Sequence, residues 1–401
     1  MRSVAEHRAA AMALVDPVAA RPVPLDEALG LITAVDIRSP IDLPRWDNAA
    51  MDGYAVRRCD VLSAGNDTPA VLSVIADLPA GSLDTPEVIA GTAARIMTGA
   101  PLPPGADAVV AVEDTDAGTA TVQLMRVPGV GANVRRAGED VRVGDLVVDA
   151  RMELGAAQIG AIASLGHATV QVHRPKIGVV STGSELVDPG SPLPRGQIPD
   201  SNSYMLAAAA RAAGADVVRA GAVPDDSAAL CRVLADLEGS VDLVITSGGV
   251  SVGAYDLVKQ LLGAGEVEFV RVAMQPGKPQ GLGRLPAGTP VLCLPGNPVS
   301  AFVSFHVFAR PVIHRLASRG EDAPARAVVT QGWRSPAGRE QYLPVVVNGP
   351  DDALTIRPAA PHRFGSHLVA GLAQANGLAM VAAEVERITE GAHLDILRTN
   401  R

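Results

Sequence analysis

Residues 176–318 alternate between short apolar runs and stretches with the spacing of helices. The run Ile177 to Val180 predicts a buried strand that ends in a Ser-Thr-Gly loop. After it, Asp200-Ser-Asn202 offers capping residues ahead of an alanine-rich helix over 203–213. Three further strands are predicted at 217–222, 241–246 and 291–294, with helices running to about 237 and 317. The alternation predicts a doubly wound parallel sheet covered on both faces.

The flanking segments carry short β-like runs broken by Gly and Pro, such as Val71 to Ala76 and Ala108 to Val112. They predict a β-rich module over 41–140 and a second, mostly β module over 319–401. The helix-forming stretches 3–15 and 154–165 are assigned to a small discontinuous α/β unit. The predicted domains are therefore 1–40 with 141–173, then 41–140, 174–318 and 319–401.

Composition narrows the class of protein. The chain has 401 residues, a formal charge of −9 and 48% hydrophobic residues, which fits two or three domains and excludes disorder for most of it. An acidic balance, two Trp, four Tyr and five Phe, and the lack of a Lys/Arg-rich block argue against nucleic acid as a partner. Widely spaced Cys59, Cys231 and Cys293 form no disulfide framework or CxxC motif. We expect a cytoplasmic protein in a reducing compartment, with no membrane partner.

The unusual residues of the α/β domain fall where its predicted strands end. In a doubly wound sheet, ligands bind outside these carboxyl ends, because loops and helix N-termini present backbone N–H groups there. Four loops therefore form one candidate site. They hold Thr182-Gly-Ser-Glu185, then Asp225, then Ser247-Gly-Gly-Val-Ser-Val-Gly253 with Asp256 close behind, and Pro295-Gly-Asn-Pro298.

The glycine-rich loop suits a phosphate, because Gly248, Gly249 and Gly253 let backbone amides approach an anion and Ser247 and Ser251 add donors. It could equally be a tight strand-to-helix turn. Lys278 could add a positive charge or remain a solvated surface residue. The acids Glu185, Asp225 and Asp256 would repel a phosphate unless a cation bridged them, which implies Mg²⁺; each could instead be a helix cap.

A second acidic set lies in the β-rich module. It contains Asp52 in Met51-Asp-Gly-Tyr54 and Glu139-Asp140, and Thr98-Gly-Ala-Pro101 lies between them. Asp-Gly is also an ordinary turn signal, so the residues alone leave both readings open. The eight histidines show no metal-ligand spacing, and His306 and His314 are interpreted as packing or surface residues.

These motifs, in this order, resemble the molybdenum insertase family, the molybdopterin molybdenumtransferases typified by bacterial MoeA and the gephyrin E domain. The resemblance covers nearly the whole chain. Its motifs are Asp47-Asn-Ala-Ala-Met-Asp-Gly-Tyr-Ala-Val56, Thr98-Gly-Ala-Pro101, Asn133-Val-Arg-Arg-Ala-Gly-Glu-Asp140, Ser181-Thr-Gly-Ser-Glu-Leu186, Thr246-Ser-Gly-Gly-Val-Ser-Val-Gly253 and Leu294-Pro-Gly-Asn-Pro-Val-Ser300.

The resemblance implies the last step of molybdenum cofactor synthesis. Adenylated molybdopterin and molybdate would react with Mg²⁺ to give the cofactor and AMP, in a homodimer of four-part subunits that end in a β-barrel. The active site would lie between the α/β domain of one subunit and the β-rich module of the other. Transient contacts with molybdopterin adenylyltransferase and with apo-molybdoenzymes are expected.

Site roles follow from the same resemblance. The catalytic residues would be Asp52, Asp140, Glu185, Asp225 and Asp256, of which the last three would also hold Mg²⁺. The substrate-binding residues would be Thr98, Arg135, Arg136, Thr182, Gly183, Ser247, Gly248, Gly249, Ser251, Gly253, Arg271, Lys278, Pro295, Gly296, Asn297, Pro298 and Ser366.

Two departures from the family pattern and two other functions stay open. Position 275 is Gln where a basic residue is frequent, and position 254 is Ala where an acid is frequent, so tungstate could replace molybdate. The α/β pattern also occurs in molybdopterin adenylyltransferases, although these need neither Asp52 nor Asp140. A gephyrin-like scaffold would need an exposed apolar groove in 325–398 and would have no need of either acidic set.

Overall fold

A computed structural model describes residues 1–250, 257–263, 265–360 and 365–399. It divides into two compact units. Unit 1 comprises residues 1–35, 151–155 and 169–401, and unit 2 comprises residues 36–150 and 156–168. Within the described ranges, no helix is long and apolar enough to cross a membrane.

The helices are α1 Val4–Met12, α2 Ala156–Ser164, α3 Asn202–Ala212, α4 Ser227–Leu237, α5 Leu257–Leu262, α6 Pro298–Ser304, α7 Arg310–Leu316 and α8 Val369–Leu372. The strands up to residue 172 are β1 Arg21–Pro24, β2 Ile37–Arg38, β3 Asn48–Ala49, β4 Gly53–Val56, β5 Ala70–Leu78, β6 Thr92–Ile96, β7 Ala108–Ala111, β8 Thr121–Leu124, β9 Val134–Arg135, β10 Leu146–Val148 and β11 Thr169–Val172. Those that follow are β12 Lys176–Thr182, β13 Leu186–Val187, β14 Ile198–Pro199, β15 Asp216–Val223, β16 Leu243–Ser247, β17 Val267–Arg271, β18 Met274–Gln275, β19 Pro279–Arg284, β20 Pro290–Leu294, β21 Ala325–Val329, β22 Trp333–Arg334, β23 Glu340–Asn348, β24 Thr355–Pro358, β25 Gly377–Val381, β26 Arg387–Ile388 and β27 His393–Arg398.

Unit 1 is built around a six-stranded sheet of order β15-β12-β16-β20-β19-β17. The first four strands are parallel and correspond to the four runs found in the sequence. Alternate residues point to opposite faces: Val179 packs in one buried cluster with Leu206 of α3, and Val180 packs in another with Leu230 of α4. Helices therefore cover both faces, which confirms the predicted α/β fold class.

The other two strands, β19 and β17, run antiparallel along one edge of this sheet. The sequence pattern does not predict these strands, because β19 begins at a proline and contains two glycines, which are typical of loops. Gly281 is needed in this strand because a Cβ there would lie 2.7 Å from the Phe269 ring. The all-parallel sheet of the prediction is therefore corrected to a mixed one.

The predicted helix ending near residue 317 is two helices joined by a π-helical turn, Phe305–Ala309. Such turns insert one extra residue into a helix. The turn is wholly buried and contributes Phe305 and Phe308 to the core. α1 packs against the same segment, with His7 edge-on to Phe308 at 4.7 Å between ring centroids.

The C-terminal part of unit 1 is a closed barrel of five strands. The ring runs β23-β24-β21-β27-β25 and closes because β25 also pairs with β23. Its interior holds side chains such as Val345, Ile356 and Ile396. The short helix α8 lies within this region, although the sequence showed no clear helix there.

Unit 2 contains a five-stranded sheet of order β7-β4-β6-β5-β8. The wholly buried Tyr54 lies on β4, between β7 and β6, and its hydroxyl donates a hydrogen bond to the Gly118 carbonyl at 3.0 Å. The pair β3–β9 brings the segments around Asn48 and Arg135 together. The helix α2 belongs to unit 2, whereas α1 belongs to unit 1. The four-domain boundaries therefore stay a prediction beside this two-unit division.

Candidate active site

The four candidate loops of unit 1 are neighbours, because β15, β12, β16 and β20 are adjacent parallel strands whose carboxyl ends share one edge. Thr182 and Ser247 are the last residues of their strands and are buried. Glu185 and Asp225 follow their strands by two or three residues and are exposed. The predicted set is thus largely brought to one edge. Ser251, Gly253 and Asp256 lie outside the described residues.

Ser184 and Asp225 join the first two loops by a reciprocal pair of hydrogen bonds. The Ser184 N–H donates to Oδ2 of Asp225 at 3.0 Å, and the Asp225 N–H donates to Oγ of Ser184 at 2.9 Å. The cap of α4 is the next residue, since Asp226 accepts from the Ala229 N–H at 2.7 Å. Asp225 is therefore not the helix cap that the sequence left as an alternative.

The loops after β16 and β20 approach each other and Thr182 closely. Gly248 has a φ of +102°, and a Cβ at that position would lie 2.6 Å from the Thr182 carbonyl oxygen. A Cβ on Gly296 would lie 3.3 Å from the Gly248 Cα. The Gly248 N–H donates to the Leu294 carbonyl at 3.1 Å. Three strand ends thus pack backbone to backbone, a geometry that requires glycine.

Asn202 is a site residue that the sequence analysis treated only as part of a helix cap. Its Nδ2 donates to Oγ of Ser247 at 2.8 Å and to the Gly296 carbonyl at 2.7 Å. Ser247 in turn donates to the Pro295 carbonyl at 3.2 Å. The N-cap residue of α3 is Ser201, whose side chain makes no capping hydrogen bond, and the preceding Asp200 accepts from the Ser203 N–H at 3.0 Å instead. A buried asparagine beside a predicted cap gives no signal of such contacts in sequence.

The remaining substrate-binding candidates of unit 1 lie on the loop after β20, at the end of β17 and on the segment between β18 and β19. Asn297 donates from Nδ2 to Oγ of Ser366 at 2.9 Å, which joins the loop after β20 to the segment before α8. Lys278 is half-buried, and Arg271 is exposed at the end of β17. Arg339 donates to Oε1 of Gln275 at 3.0 Å, so a cation lies beside the position where the family pattern has a base.

The acidic set of unit 2 also has a defined arrangement. Oδ1 of Asp52 accepts from the Thr98 N–H at 2.7 Å and from the Thr98 hydroxyl at 2.8 Å. These bonds, the backbone one first, hold the pKa of Asp52 below its usual range. Asp47, which the sequence analysis did not single out as a site residue, pairs with Arg136 and accepts from the Ala137 N–H at 2.8 Å.

Two other candidates of unit 2 are less tightly held. Arg135 lies on β9 opposite Asn48 of β3, and its guanidinium reaches the Ala50 carbonyl at 3.5 Å. Asp140 is exposed, and its backbone N–H donates to the Leu43 carbonyl at 3.0 Å. The structure therefore joins Asp52 to Thr98 directly and places Arg135 on the strand paired with the Asp47 segment.

Histidines take no part in either set. Burial lowers the pKa of His306 to about 3 and that of His314 to about 4, so both are neutral packing residues at pH 7. Among the described residues, no group of three or more His, Cys, Asp or Glu side chains is placed to hold a metal ion.

The chain thus combines a mixed α/β domain with a glycine-rich edge, a β-rich unit with its own carboxylate set and a closed C-terminal barrel, which defines a multidomain α/β class of protein. Comparison with known families agrees along the chain. Residues 2–166 match the MoeA N-terminal region (domain I and II), residues 178–315 a probable molybdopterin binding domain, and residues 326–398 the MoeA C-terminal region (domain IV). The chain belongs to the MoeA family.

Relatives match over the full length. Molybdopterin molybdenumtransferase 2 of Mycobacterium tuberculosis is 44% identical over 99% of both chains, and molybdopterin molybdenumtransferase 1 of the same organism is 40% identical over 99% of this chain and 98% of its own. The crystal structure of a molybdopterin biosynthesis MoeA protein from Pyrococcus horikosii has a TM-score of 0.80 and 32% identity, covering 99% of this chain and 98% of that one.

Proposed function

We propose that this chain is a molybdopterin molybdotransferase, which inserts molybdate into adenylated molybdopterin and releases AMP. Its full-length similarity to proteins named molybdopterin molybdenumtransferase supports a transferase of molybdenum cofactor biosynthesis. The structural observation that supports the proposal is the close packing of Thr182, Gly248 and Gly296 at the carboxyl ends of the parallel strands. Ser184 holds Asp225 in the neighbouring loop by two hydrogen bonds.

The proposed roles follow from the chemistry of each group. The substrate carries a phosphoanhydride, so it needs donors that approach closely, and Gly249 and Gly296 offer backbone N–H groups without a Cβ in the way. The N–H of Gly248 is bonded to the Leu294 carbonyl, so Gly248 contributes the close packing of the loops rather than a donor. Lys278 and Arg271 supply positive charge, and Asn297 with Ser366 adds polar contacts. Preorganised donors of this kind stabilise charge that develops on oxygen.

Mg²⁺ is the cation that we propose for this edge. Ser184 engages Oδ2 of Asp225, so Oδ1 can face a cation, and Glu185 lies in the same loop as Ser184. Carboxylate oxygens are ligands that Mg²⁺ prefers together with substrate phosphates. Glu185, Asp225 and Asp256 would hold the ion, which when bound neutralises phosphate charge.

We further propose a cytoplasmic homodimer in which Asp52, Thr98, Arg135, Arg136 and Asp140 of one subunit complete the site of the other. The support is that unit 2 has an ordered carboxylate set of its own, with Asp52 held by Thr98. Transient contacts with a molybdopterin adenylyltransferase and with apo-molybdoenzymes belong to the same proposal.

The test is AMP release from adenylated molybdopterin with Mg²⁺, with and without molybdate. Asp225→Asn should lose activity by about 100-fold or more, because it removes the carboxylate charge. Asp226→Asn is the matched control: the adjacent acid caps α4, and this variant should keep activity. Equal losses in both variants would contradict the role of Asp225. A wild type that instead makes adenylated molybdopterin from ATP would be an adenylyltransferase.

The shared site has a separate test. Homodimers of Asp52→Ala and of Asp225→Ala should both be inactive, whereas mixed dimers should regain up to about half of the activity, because one of two symmetry-related sites is then intact. Absence of recovery in verified mixed dimers would refute the shared site and leave the single-subunit proposal standing.

A further inference from the structure

Asn202 lies where two loops of the proposed substrate edge meet. It is the first residue of α3, and only 9% of its surface is exposed. Its Nδ2 donates to Oγ of Ser247, after β16, and to the carbonyl of Gly296, after β20. One amide group therefore spans the two loops that carry the glycines.

The hydroxyl group of Ser247 makes its hydrogen bonds within the protein. It is 1% exposed, donates its hydroxyl hydrogen to the Pro295 carbonyl and accepts from Asn202. A hydroxyl has one hydrogen to donate, so Ser247 has none left for a ligand. Its side chain therefore acts by holding the two loops together, with Asn202 as the other half of the link.

The start of α3 is itself held in place. Asp200 is wholly buried, accepts from the N–H and the hydroxyl of Ser203, and donates its own N–H to the Val187 carbonyl at 2.8 Å. Oδ1 of Asn202 is buried and has no partner among the described residues. The orientation of the amide is therefore set by the two bonds from Nδ2, and those bonds connect the segment after Glu185 to both glycine loops.

We propose that Asn202 is a positioning residue of this site: through Ser247 and Gly296 it fixes the spacing of the loops 247–249 and 295–298, and so the direction of their backbone N–H groups. The inference rests on the proposed function for the identity of the substrate. It assigns to Asn202 no contact with the reacting atoms. Removal of the amide should loosen anion binding more than it slows the chemical step.

The experiment compares Asn202→Ala with Asn376→Ala. Asn376 is a matched control, because its side chain also makes two hydrogen bonds, donating to the Val347 carbonyl at 2.9 Å and accepting from the Val347 N–H at 2.6 Å, but in the barrel. In Asn202→Ala, KM for adenylated molybdopterin should rise about tenfold, as expected for two lost hydrogen bonds, with kcat changed less than about threefold. Asn376→Ala should keep the wild-type KM.

Asn202→Asp keeps the test decisive if the alanine variant folds poorly, and a double-mutant cycle of the alanine variants tests the route through Ser247. Asn202→Asp keeps the volume but loses both donors and adds negative charge, so it should raise KM at least as much as alanine. If Asn202 acts through Ser247, the double variant Asn202→Ala/Ser247→Ala should be little worse than either single variant. A wild-type KM in Asn202→Ala, an equal rise in Asn376→Ala, or additive effects in the cycle would overturn the inference.

An error in the proposed function would give a different result from an error in the role of Asn202. A wild type that releases no AMP in the presence of molybdate refutes the activity. Binding of molybdopterin, followed by its fluorescence, then still tests Asn202: weaker binding in Asn202→Ala than in Asn376→Ala supports the positioning role, and equal binding refutes it.

Discussion

Replacement of Gly248 by alanine tests the close packing of the strand ends. The backbone at Gly248 has a φ of +102°, which costs a residue with a Cβ about 1–2 kcal/mol. The new Cβ would also lie 2.6 Å from the carbonyl oxygen and 2.9 Å from Oγ1 of Thr182. Overpacking against backbone adds about 1–3 kcal/mol. We therefore expect Gly248→Ala to lower the free energy of unfolding of unit 1 by about 2–5 kcal/mol.

Gly288→Ala separates strain from crowding. Gly288 has a φ of +95°, but a Cβ there meets nothing within 4 Å, so this variant should lose only the about 1–2 kcal/mol of strain. Urea unfolding can be followed by emission of Trp333, which is buried in unit 1, with Trp46 of unit 2 replaced by Phe. AMP release should fall about tenfold or more in Gly248→Ala, since the loops move apart, and remain normal in Gly288→Ala.

Two outcomes would contradict these predictions for Gly248→Ala and Gly288→Ala. Equal losses of stability in the two variants would mean that the Thr182 loop yields to the new methyl group at no cost. Full activity in Gly248→Ala would refute the view that the spacing of these strand ends matters for catalysis.

Three further predictions concern other parts of the chain. Thr98→Val should raise the pKa of Asp52 toward its usual value, because the hydroxyl donor is lost while the backbone donor stays; ¹³C NMR titration measures this, and an unchanged pKa contradicts it. Tyr54→Phe should lower the free energy of unfolding by about 1 kcal/mol, measured in urea, because the carbonyl of Gly118 loses its partner, and AMP release should persist. Burial lowers the pKa of His306 to about 3, so the unfolded chain binds a proton there more readily and the protein becomes less stable as the pH is lowered. This group should lower the free energy of unfolding by about 1–2 kcal/mol between pH 6.5 and pH 5, and urea midpoints should show less pH dependence in His306→Gln.

The central strands of the six-stranded sheet could be predicted from the sequence because they are buried on both faces. Strands buried on both faces are continuous apolar runs, and Ile177 to Val180 and Val291 to Leu294 are of this kind. The edge strand Pro279–Arg284 was missed because its glycines give no apolar run and become intelligible only once the Phe269 ring lies over Gly281. Local composition thus predicts buried strands better than strands that exist through a tertiary contact.

The sequence predicts the location of the candidate site but not the contacts within it. Strand-end loops could be located from Ser247 and Asp225, because topology brings the ends of parallel strands together. Whether Asp225 or Asp226 caps the helix depends on backbone angles, which the amino-acid sequence does not specify. Asn202 acts through contacts 45 and 94 residues away in sequence, so no local pattern marks it. The catalytic roles themselves stay a prediction.

The closed barrel also sets an order of events during synthesis. β27, residues His393–Arg398, pairs with both β21 and β25, so the ring cannot close until the ribosome has released this strand. The strands of the six-stranded sheet are complete about 100 residues earlier, which at about 5–20 residues per second is about 5–20 seconds of translation. Until then β21 and β25 expose unpaired edges. A nascent chain of this protein is therefore open to edge-to-edge association between the synthesis of β25 and that of β27, and a truncation that removes β27 would make that state permanent.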